Sequence, residues 1–315
     1  MQVWRSLSEV PGDLGHTVLV VGNFDGVHRG HRAVVARARE VAGRLELGRV
    51  VAVTFDPHPI AVLRPDHAPM NLTDVEQRVE LLHDAGVDDV LVVPFDRSVA
   101  EWSPERFVEE VLIDTLHAAA VIVGANFRFG KQAAGDVALL RQIGVDNEFI
   151  VEGIALDGGP MVWSSSYVRS CLASGDVEGA AEALGRPHAV RGTITSGDRR
   201  GRELGWPTAN LPVEPGIAVP EDGVYAGWLR ELPEGERLPA AISVGTNPTF
   251  RGRRERRIES FVIDAPADLD LYDRQVEVEF VGRIRGMKRF DEVEHLVAAI
   301  GDDVERTRLV LGLDS

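Results

Sequence analysis

The sequence predicts two domains of different class: an α/β domain with a parallel sheet, then an all-β barrel or sandwich closed by one helix. Three observations carry this. From Thr17 to about Phe149 short apolar β-type runs alternate with amphipathic segments, the rhythm of βαβ units. After Gly185-Arg186-Pro187-His188 the texture changes to short strands separated by dense Gly/Pro turns. The length of 315 residues suits two cores better than one. The boundary is placed at 186/187.

In the first half the expected strands are Thr17–Val21, Val50–Phe55, Asp89–Pro94, Ala119–Gly124 and Glu148–Ile154. Their nearly unbroken apolar character fits a parallel sheet covered on both faces. Helical periodicity occupies Ala33–Leu45, Asp74–Ala85, Pro104–Leu116 and Asp136–Ile143. Thr73 with Glu76 reads as a capping box, and Ser103 before Pro104 as a cap with a first-turn proline. A further helical stretch, Asp176–Leu184, ends at the boundary. Beyond it, Val190–Thr195, Gly223–Leu229, Ala240–Val244, Arg257–Ile263 and Gln275–Ile284 read as strands, and Asp291–Leu311 as a helix.

Composition narrows the function classes. With 34 Lys and Arg against 50 Asp and Glu, the net charge of −16 argues against nucleic-acid or anionic-membrane binding, but not against a nucleotide in a local pocket. The single cysteine, Cys171, allows no internal disulfide and no Cys-based zinc site, and reads as a small buried hydrophobe. The N-terminal stretch has no apolar signal core and no run reaches membrane-spanning length, so a cytoplasmic location is expected.

In a parallel sheet ligands sit beyond the carboxyl ends of the strands, and three of those ends are polar: Gly22-Asn23-Phe24-Asp25-Gly26-Val27-His28, Thr54-Phe55-Asp56-Pro57-His58-Pro59, and Gly124-Ala125-Asn126 through Lys131. Strand, glycine turn and helix start around His28-Arg29-Gly30-His31 aim backbone amides and two imidazoles at one place, the arrangement of a phosphate site. Ser164-Ser165-Ser166-Tyr167-Val168-Arg169 opens another helix, where serines cap and Arg169 reaches an anion. Such donors without a base suit nucleotidyl transfer, in which positioning and charge neutralisation do the chemistry. GxxxxGK[ST] and GxGxxG are absent, and His-x-x-His across a glycine lacks a third zinc ligand.

HxGH after a strand with a downstream SSSxxR looks like the nucleotidylyltransferase superfamily. GNFDGVHRGH, TFDPHP, GANFRFGK and SSSYVR together resemble the FMN adenylyltransferase half of prokaryotic bifunctional riboflavin kinase/FAD synthetases. The resemblance implies a Rossmann-like nucleotidylyltransferase domain. In it His28 and His31 stabilise the transferring phosphate, and Gly22, Phe24, Asp25, Gly30, Asn126, Ser164, Ser165 and Arg169 surround the nucleotide. Pro57 and His58 lie toward the flavin. Ser166 stands where the family usually has threonine, which keeps the hydroxyl.

In the second half, Gly197 to Asn210 joins spaced glycines to a Pro-Thr-Ala-Asn strand start: glycines admit a polyphosphate to the backbone, and Thr208 and Asn210 offer oxygen to Mg²⁺. With Gly223–Gly227, Asn247–Phe250, Ile258–Asp264 and Asp270-Leu271-Tyr272, it resembles a riboflavin kinase module. That resemblance implies a six-stranded Greek-key barrel, ATP·Mg²⁺ around Gly197, Arg202, Gly205, Thr208 and Asn210, Glu259 as base, and Tyr272 near the flavin. Asp273 replaces a usual glycine, so the turn there is expected to differ in shape or mobility. Arg251 to Arg257 holds five arginines and one glutamate and reads first as a solvated loop. Expected ligands are riboflavin, FMN and ATP with Mg²⁺, and neither nucleic acid nor membrane; self-association is compatible with the sequence. The alternative function is an FMN adenylyltransferase whose barrel binds flavin without phosphorylating it.

Overall fold

The structure, a computed structural model, describes residues 1–155, 163–196, 206–248, 254–266 and 269–313. The chain forms two compact units, Met1–Pro69 with Asp74–Ser164, and Met70–Thr73 with Ser165–Ser315.

The first unit is built on six parallel strands: β1 (Val3–Trp4), β2 (Thr17–Val21), β3 (Val50–Asp56), β4 (Asp89–Pro94), β5 (Ala118–Gly124) and β6 (Ile150–Ile154), in spatial order β1-β4-β3-β2-β5-β6. Alternate residues of the central strands feed two cores. Val18, Val20, Ala52, Val90 and Ile122 pack under α1 (Arg29–Arg44) and the later helix of residues 75–84, whereas Leu19, Val21, Val53, Leu91 and Val123 face the other layer. Both sets are buried, which is why these strands read as continuous apolar runs. The order descends 4-3-2 and then jumps to 5-6, so the sheet reverses between β2 and β5, and a crevice opens there beyond the strand ends.

The other helices are α2 (Pro59–Leu63), α3 (Val75–Asp84), which puts Val79 and Leu82 into the core under α1, α4 (Arg97–Ala100), α5 (Pro104–Phe107) and α6 (Val137–Asp146), which puts Val137 and Leu140 into the core on the other face. Two sequence expectations need correction. The cap of α3 is Asp74, whose carboxylate accepts the Gln77 amide at 2.6 Å, rather than Thr73; a carboxylate at this position also complements the helix dipole. The helix expected over Pro104–Leu116 keeps α geometry only to Phe107 and continues as a π-helix over Val108–Thr115, where the Thr115 hydroxyl bonds the Glu110 carbonyl five residues back at 2.6 Å. Ser103 caps α5 as expected.

In the second unit α7 (Ser165–Ala173) and α8 (Val177–Leu184) precede the antiparallel strands β7 (His188–Thr193), β8 (Ala209–Pro212), β9 (Gly223–Glu231), β10 (Arg237–Pro248), β11 (Arg254–Val262) and β12 (Gln275–Gly286), with α9 (Val293–Leu311) last. The order β8-β11-β10-β9-β12-β7 contains the Greek key: β9, β10 and β11 meander, and β12 returns beside β9. An antiparallel bridge between Thr195 and Asn210 brings the two edges together. Four residues of the arginine-rich run, Arg254–Arg257, belong to β11 rather than to a loop, and residues 251–253 lie outside the described residues. Arg256 pairs with Asp222 at 2.7 Å. Cys171 is buried, as expected.

Buried His188 donates from Nε2 to the Ala218 carbonyl at 2.9 Å, and burial pushes its pKa down to about 4. Above pH 6.5 folded and unfolded chains both leave it neutral. As pH falls from 6.5 toward 4 only the unfolded chain takes the proton, so stability is lost in that window. Between pH 7 and 5 this site should destabilise the second unit by about 2 kcal/mol. His188→Gln keeps a donor for Ala218 and should flatten that part of the denaturant-midpoint profile; an unchanged slope would remove His188 as its cause.

Candidate active sites

The first site forms where β2 ends. Gly22 and Asn23 lead into a tight turn in which Phe24, Gly26 and Val27 all have positive φ, +49°, +79° and +40°. Such backbone is costly for Phe and for β-branched Val, and it persists because both side chains are packed solid. The turn delivers His28 to the N-cap of α1, where its Nδ1 accepts the His31 amide at 3.4 Å. His28 therefore carries its neutral-form proton on Nε2. Helix α1 begins four residues earlier than periodicity indicates, and this places His31 in its first turn.

The two imidazoles stack with centroids 3.6 Å apart and planes 22° from parallel, and Phe24 meets His31 edge-on. Burial, then His28, then Arg78 hold the His31 pKa well below its ordinary value, so His31 is neutral near pH 7. Gly30 is the neck of this arrangement. A Cβ there would lie 3.0 Å from His28 Cε1 and 3.3 Å from the Trp163 carbonyl. His31 takes the cap, and the Arg29 and Gly30 amides are left at the helix mouth, available to an anion.

Beside this mouth lies a cleft of about 890 Å³, lined by Gly22, Asn23 and Asn126 and by Phe55, Phe95, Trp102, Phe107, Phe127 and Phe129. The ends of β2, β3, β4 and β5 thus converge, as the parallel sheet implied. Asp25 is buried under the turn. His58 is buried as the cap of α2, accepting the Ile60 amide on Nδ1, with Nε2 3.3 Å from Asn23 Nδ2; Pro57 is exposed at the end of β3. Neither lines the cleft; their neighbours Pro59 and Ile60 do. Ser164 follows Trp163 in the first unit. Ser165 starts α7 in the second, where Arg169 Nε donates to the Met70 carbonyl at 2.6 Å. Lys131 and Arg128 pair with Glu101 and Asp136. The aromatic lining was missed from sequence, although Phe55, Phe127 and Phe129 sit inside the quoted strand-end blocks.

The second site is a row of cross-strand partners. Asn210 on β8 faces Glu259 on β11, Glu259 faces Ser243 on β10, Ser243 faces Val224 on β9, and Val224 faces Arg285 on β12. Directly opposed residues share a face. Thr208, Ser243, Glu259 and Arg285 line a cavity of about 300 Å³ with Trp206, Phe261, Phe290, Leu296 and Ile300. Arg285 is clamped by Asp303 of α9 through contacts of 2.8 and 2.7 Å, fixing the helix over the cavity. Asn210 Nδ2 donates to the Thr208 carbonyl at 3.2 Å. Tyr272 is exposed on the turn before β12 and does not line the cavity. Gly197, Arg202 and Gly205 lie outside the described residues. Ser243 and the Arg285–Asp303 clamp had no local signal, because only strand pairing brings them in.

A parallel-sheet domain with a histidine-flanked helix mouth at its reversal, followed by a small barrel with a carboxylate beside Thr and Asn, defines a two-domain nucleotide-handling transferase. Residues 11–157 match the FAD synthetase family model and residues 184–311 the riboflavin kinase model. The bifunctional riboflavin kinase/FMN adenylyltransferase of Escherichia coli K12 is 36% identical over 98% of this chain and 96% of its own, and that of Pseudomonas fluorescens 35% identical over 98% and 97%. A solved structure described as a macrolide-efflux protein from Streptococcus pneumoniae superposes with a TM-score of 0.85 at 29% identity, covering 97% of this chain and 98% of that one. The chain belongs to the bifunctional riboflavin kinase/FMN adenylyltransferase family. Among the described residues no helix is long and apolar enough to cross a membrane.

Gly30→Ala should lower FAD formation by about tenfold or more, since the added methyl displaces the His28 ring. Helix propensity alone favours alanine, so an unchanged rate of FAD formation would show that the ring position does not matter.

Proposed function

We propose that residues 1–186 adenylylate FMN with ATP, giving FAD and pyrophosphate, and that residues 187–315 phosphorylate riboflavin with ATP, giving FMN. The observation that carries the first assignment is the stacked His28–His31 pair at the mouth of α1, beside an aromatic cleft large enough for a tricyclic ring. A phosphate oxygen of FMN attacks the α-phosphorus of ATP, the α–β bridging bond breaks, and pyrophosphate leaves. The attacking phosphate is already ionised, so no base is required. The His28 Nε2–H, the Arg29 and Gly30 amides and the α1 dipole neutralise charge on the transferring group. The aromatic wall holds the flavin-side substrate, and Asn126 and Ser164 the nucleotide.

In the barrel, Glu259 takes the proton of the ribityl 5′-hydroxyl as that oxygen attacks the γ-phosphorus and ADP leaves. Its place in the row between Asn210 and Ser243, at the cavity wall, supports this role. The Thr208 hydroxyl and the Asn210 amide oxygen are hard donors, and the bond from Asn210 Nδ2 to the Thr208 carbonyl fixes which end of the amide is the oxygen. They fit Mg²⁺, which when bound screens the polyphosphate charge. Asp273 adopts φ of +58°, so the turn keeps a glycine-like conformation with aspartate in place. This favours a working kinase over a barrel that only binds flavin. Small-molecule substrates without nucleic acid, in the cytoplasm, complete the reading.

His28→Ala should abolish FAD formation from FMN and ATP while leaving FMN formation from riboflavin within about twofold. Parallel loss of both would mean one shared site. Conversely, Glu259→Gln should stop riboflavin phosphorylation, followed as FMN by chromatography, and spare conversion of supplied FMN to FAD. Kinase turnover at the original rate would dismiss Glu259 as the base.

A further inference from the structure

Arg78 is the most deeply buried arginine of the first unit, 2% exposed, in the second turn of α3. Its Nη1 donates to the Phe55 carbonyl at 3.0 Å and to Thr54 Oγ1 at 3.3 Å. Thr54 Oγ1 in turn donates to the Asn23 carbonyl at 3.1 Å. One guanidinium thus ties the end of β3 to the glycine turn that aims His28 and His31. Its Nε is buried with no hydrogen-bond partner. A buried cation with an unmet donor is expensive. Methionine would fill much the same volume without that cost, and this points to a use for the charge.

We propose that Arg78 is a positioning residue for adenylyl transfer: through Thr54 it fixes the Asn23 turn, and it sets a buried positive charge beside His31 of the stacked pair. This rests on the reading of that pair as the adenylyl-transfer site. The charged surroundings are specific. His28 and Arg78 face His31 and both disfavour its protonation, while Asp25 of the turn, Asp56 of β3 and Asp74 and Glu76 at the start of α3 support the charge on Arg78 against burial. A protonated His31 stacked 3.6 Å from His28 would repel a second proton there and lose the neutral ring's acceptor nitrogen. Arg78 therefore favours a neutral His31 stacked on His28, whose Nε2–H donor meets the phosphate.

The test is steady-state FAD formation from FMN and ATP by the full chain as a function of pH, with FMN formation from riboflavin as the control that the second site is untouched and the circular-dichroism melting curve as the control of fold. Arg78→Met should lower kcat by about tenfold with little change in either KM, because it acts on the geometry of the transferring group rather than on ground-state binding. It should also move the acid limb of the profile to higher pH, the direction given by losing a neighbouring positive charge. Arg78→Lys retains the charge and should return the limb to its original position. Thr54→Val breaks the relay to Asn23 but keeps the charge, so kcat should fall with the limb unmoved; this arm decides the positioning role even if Arg78→Met does not fold. A purely structural Arg78 would lower the yield of active adenylyltransferase and leave the acid limb in place, and that result overturns the proposal. His28→Ala run alongside separates the two claims. If it still makes FAD, the site assignment fails; if it is inactive while Arg78→Met and Thr54→Val match the parent chain, only the inference about Arg78 fails.

Discussion

The first unit depends on how α1 begins. One contact, the His31 amide on His28 Nδ1, ends the turn, starts the helix, and selects which nitrogen of His28 carries hydrogen. At 3.4 Å it is a long bond and contributes little energy by itself. What holds it is packing: the parallel ring stack, Phe24 edge-on to His31, and a glycine neck that lets the His28 ring fold back over the first turn. The positive φ angles at Phe24 and Val27 belong to the same constraint. Strained backbone survives there because two fully buried side chains and a strand end over-determine it.

In the site proposed for the second unit the polar groups are set by strand pairing rather than by a helix start. Glu259, Ser243 and Asn210 are aligned across β11, β10 and β8, and pairing sets neighbouring side chains about 5 Å apart on one face. Closure between Thr195 and Asn210 makes that row continuous with the barrel edge, so Asn210, the last residue of the Pro-Thr-Ala-Asn segment, is held by β11 on one side and by the bridge on the other. The Arg285–Asp303 clamp then fixes α9 over the cavity. In the first unit donors come from a helix start; in the second, oxygens and a carboxylate come from a sheet.

Local sequence carried the strands and the phosphate motifs well, because their signals are local. Thr17–Val21 and Asp89–Pro94 are apolar runs bounded by turns, and their observed limits coincide with those runs. His28, Gly30 and His31 are three residues in four positions. What could not be read depends on partners distant in the chain. Arg78 looks like any helix-surface arginine until α3 is laid against β3; its partners are 23 and 24 residues away. The π-helix after Phe107 ends on bonds five residues back, from the Thr115 hydroxyl to the Glu110 carbonyl and from the Leu116 amide to the Val111 carbonyl, a change of repeat that apolar periodicity does not register. At α3, Thr73 and Asp74 are both good caps, and the carboxylate holds the position.

The same distinction explains why the histidine motif is informative and yet incomplete. His-x-Gly-His fixes two rings and a helix mouth, but it does not fix their protonation. Left to burial and mutual repulsion alone, the pair has one neutral ring and a second whose state depends on what else carries charge nearby. In this fold that charge comes from outside the motif, from α3, and the carboxylates of Asp25 and Asp56 sustain it. A buried arginine that costs stability at rest is reasonable where the ligand brings several negative charges: the unmatched positive potential is then lowest in energy with the ligand bound, and the preorganised site need not rearrange as the charge moves along the phosphate chain.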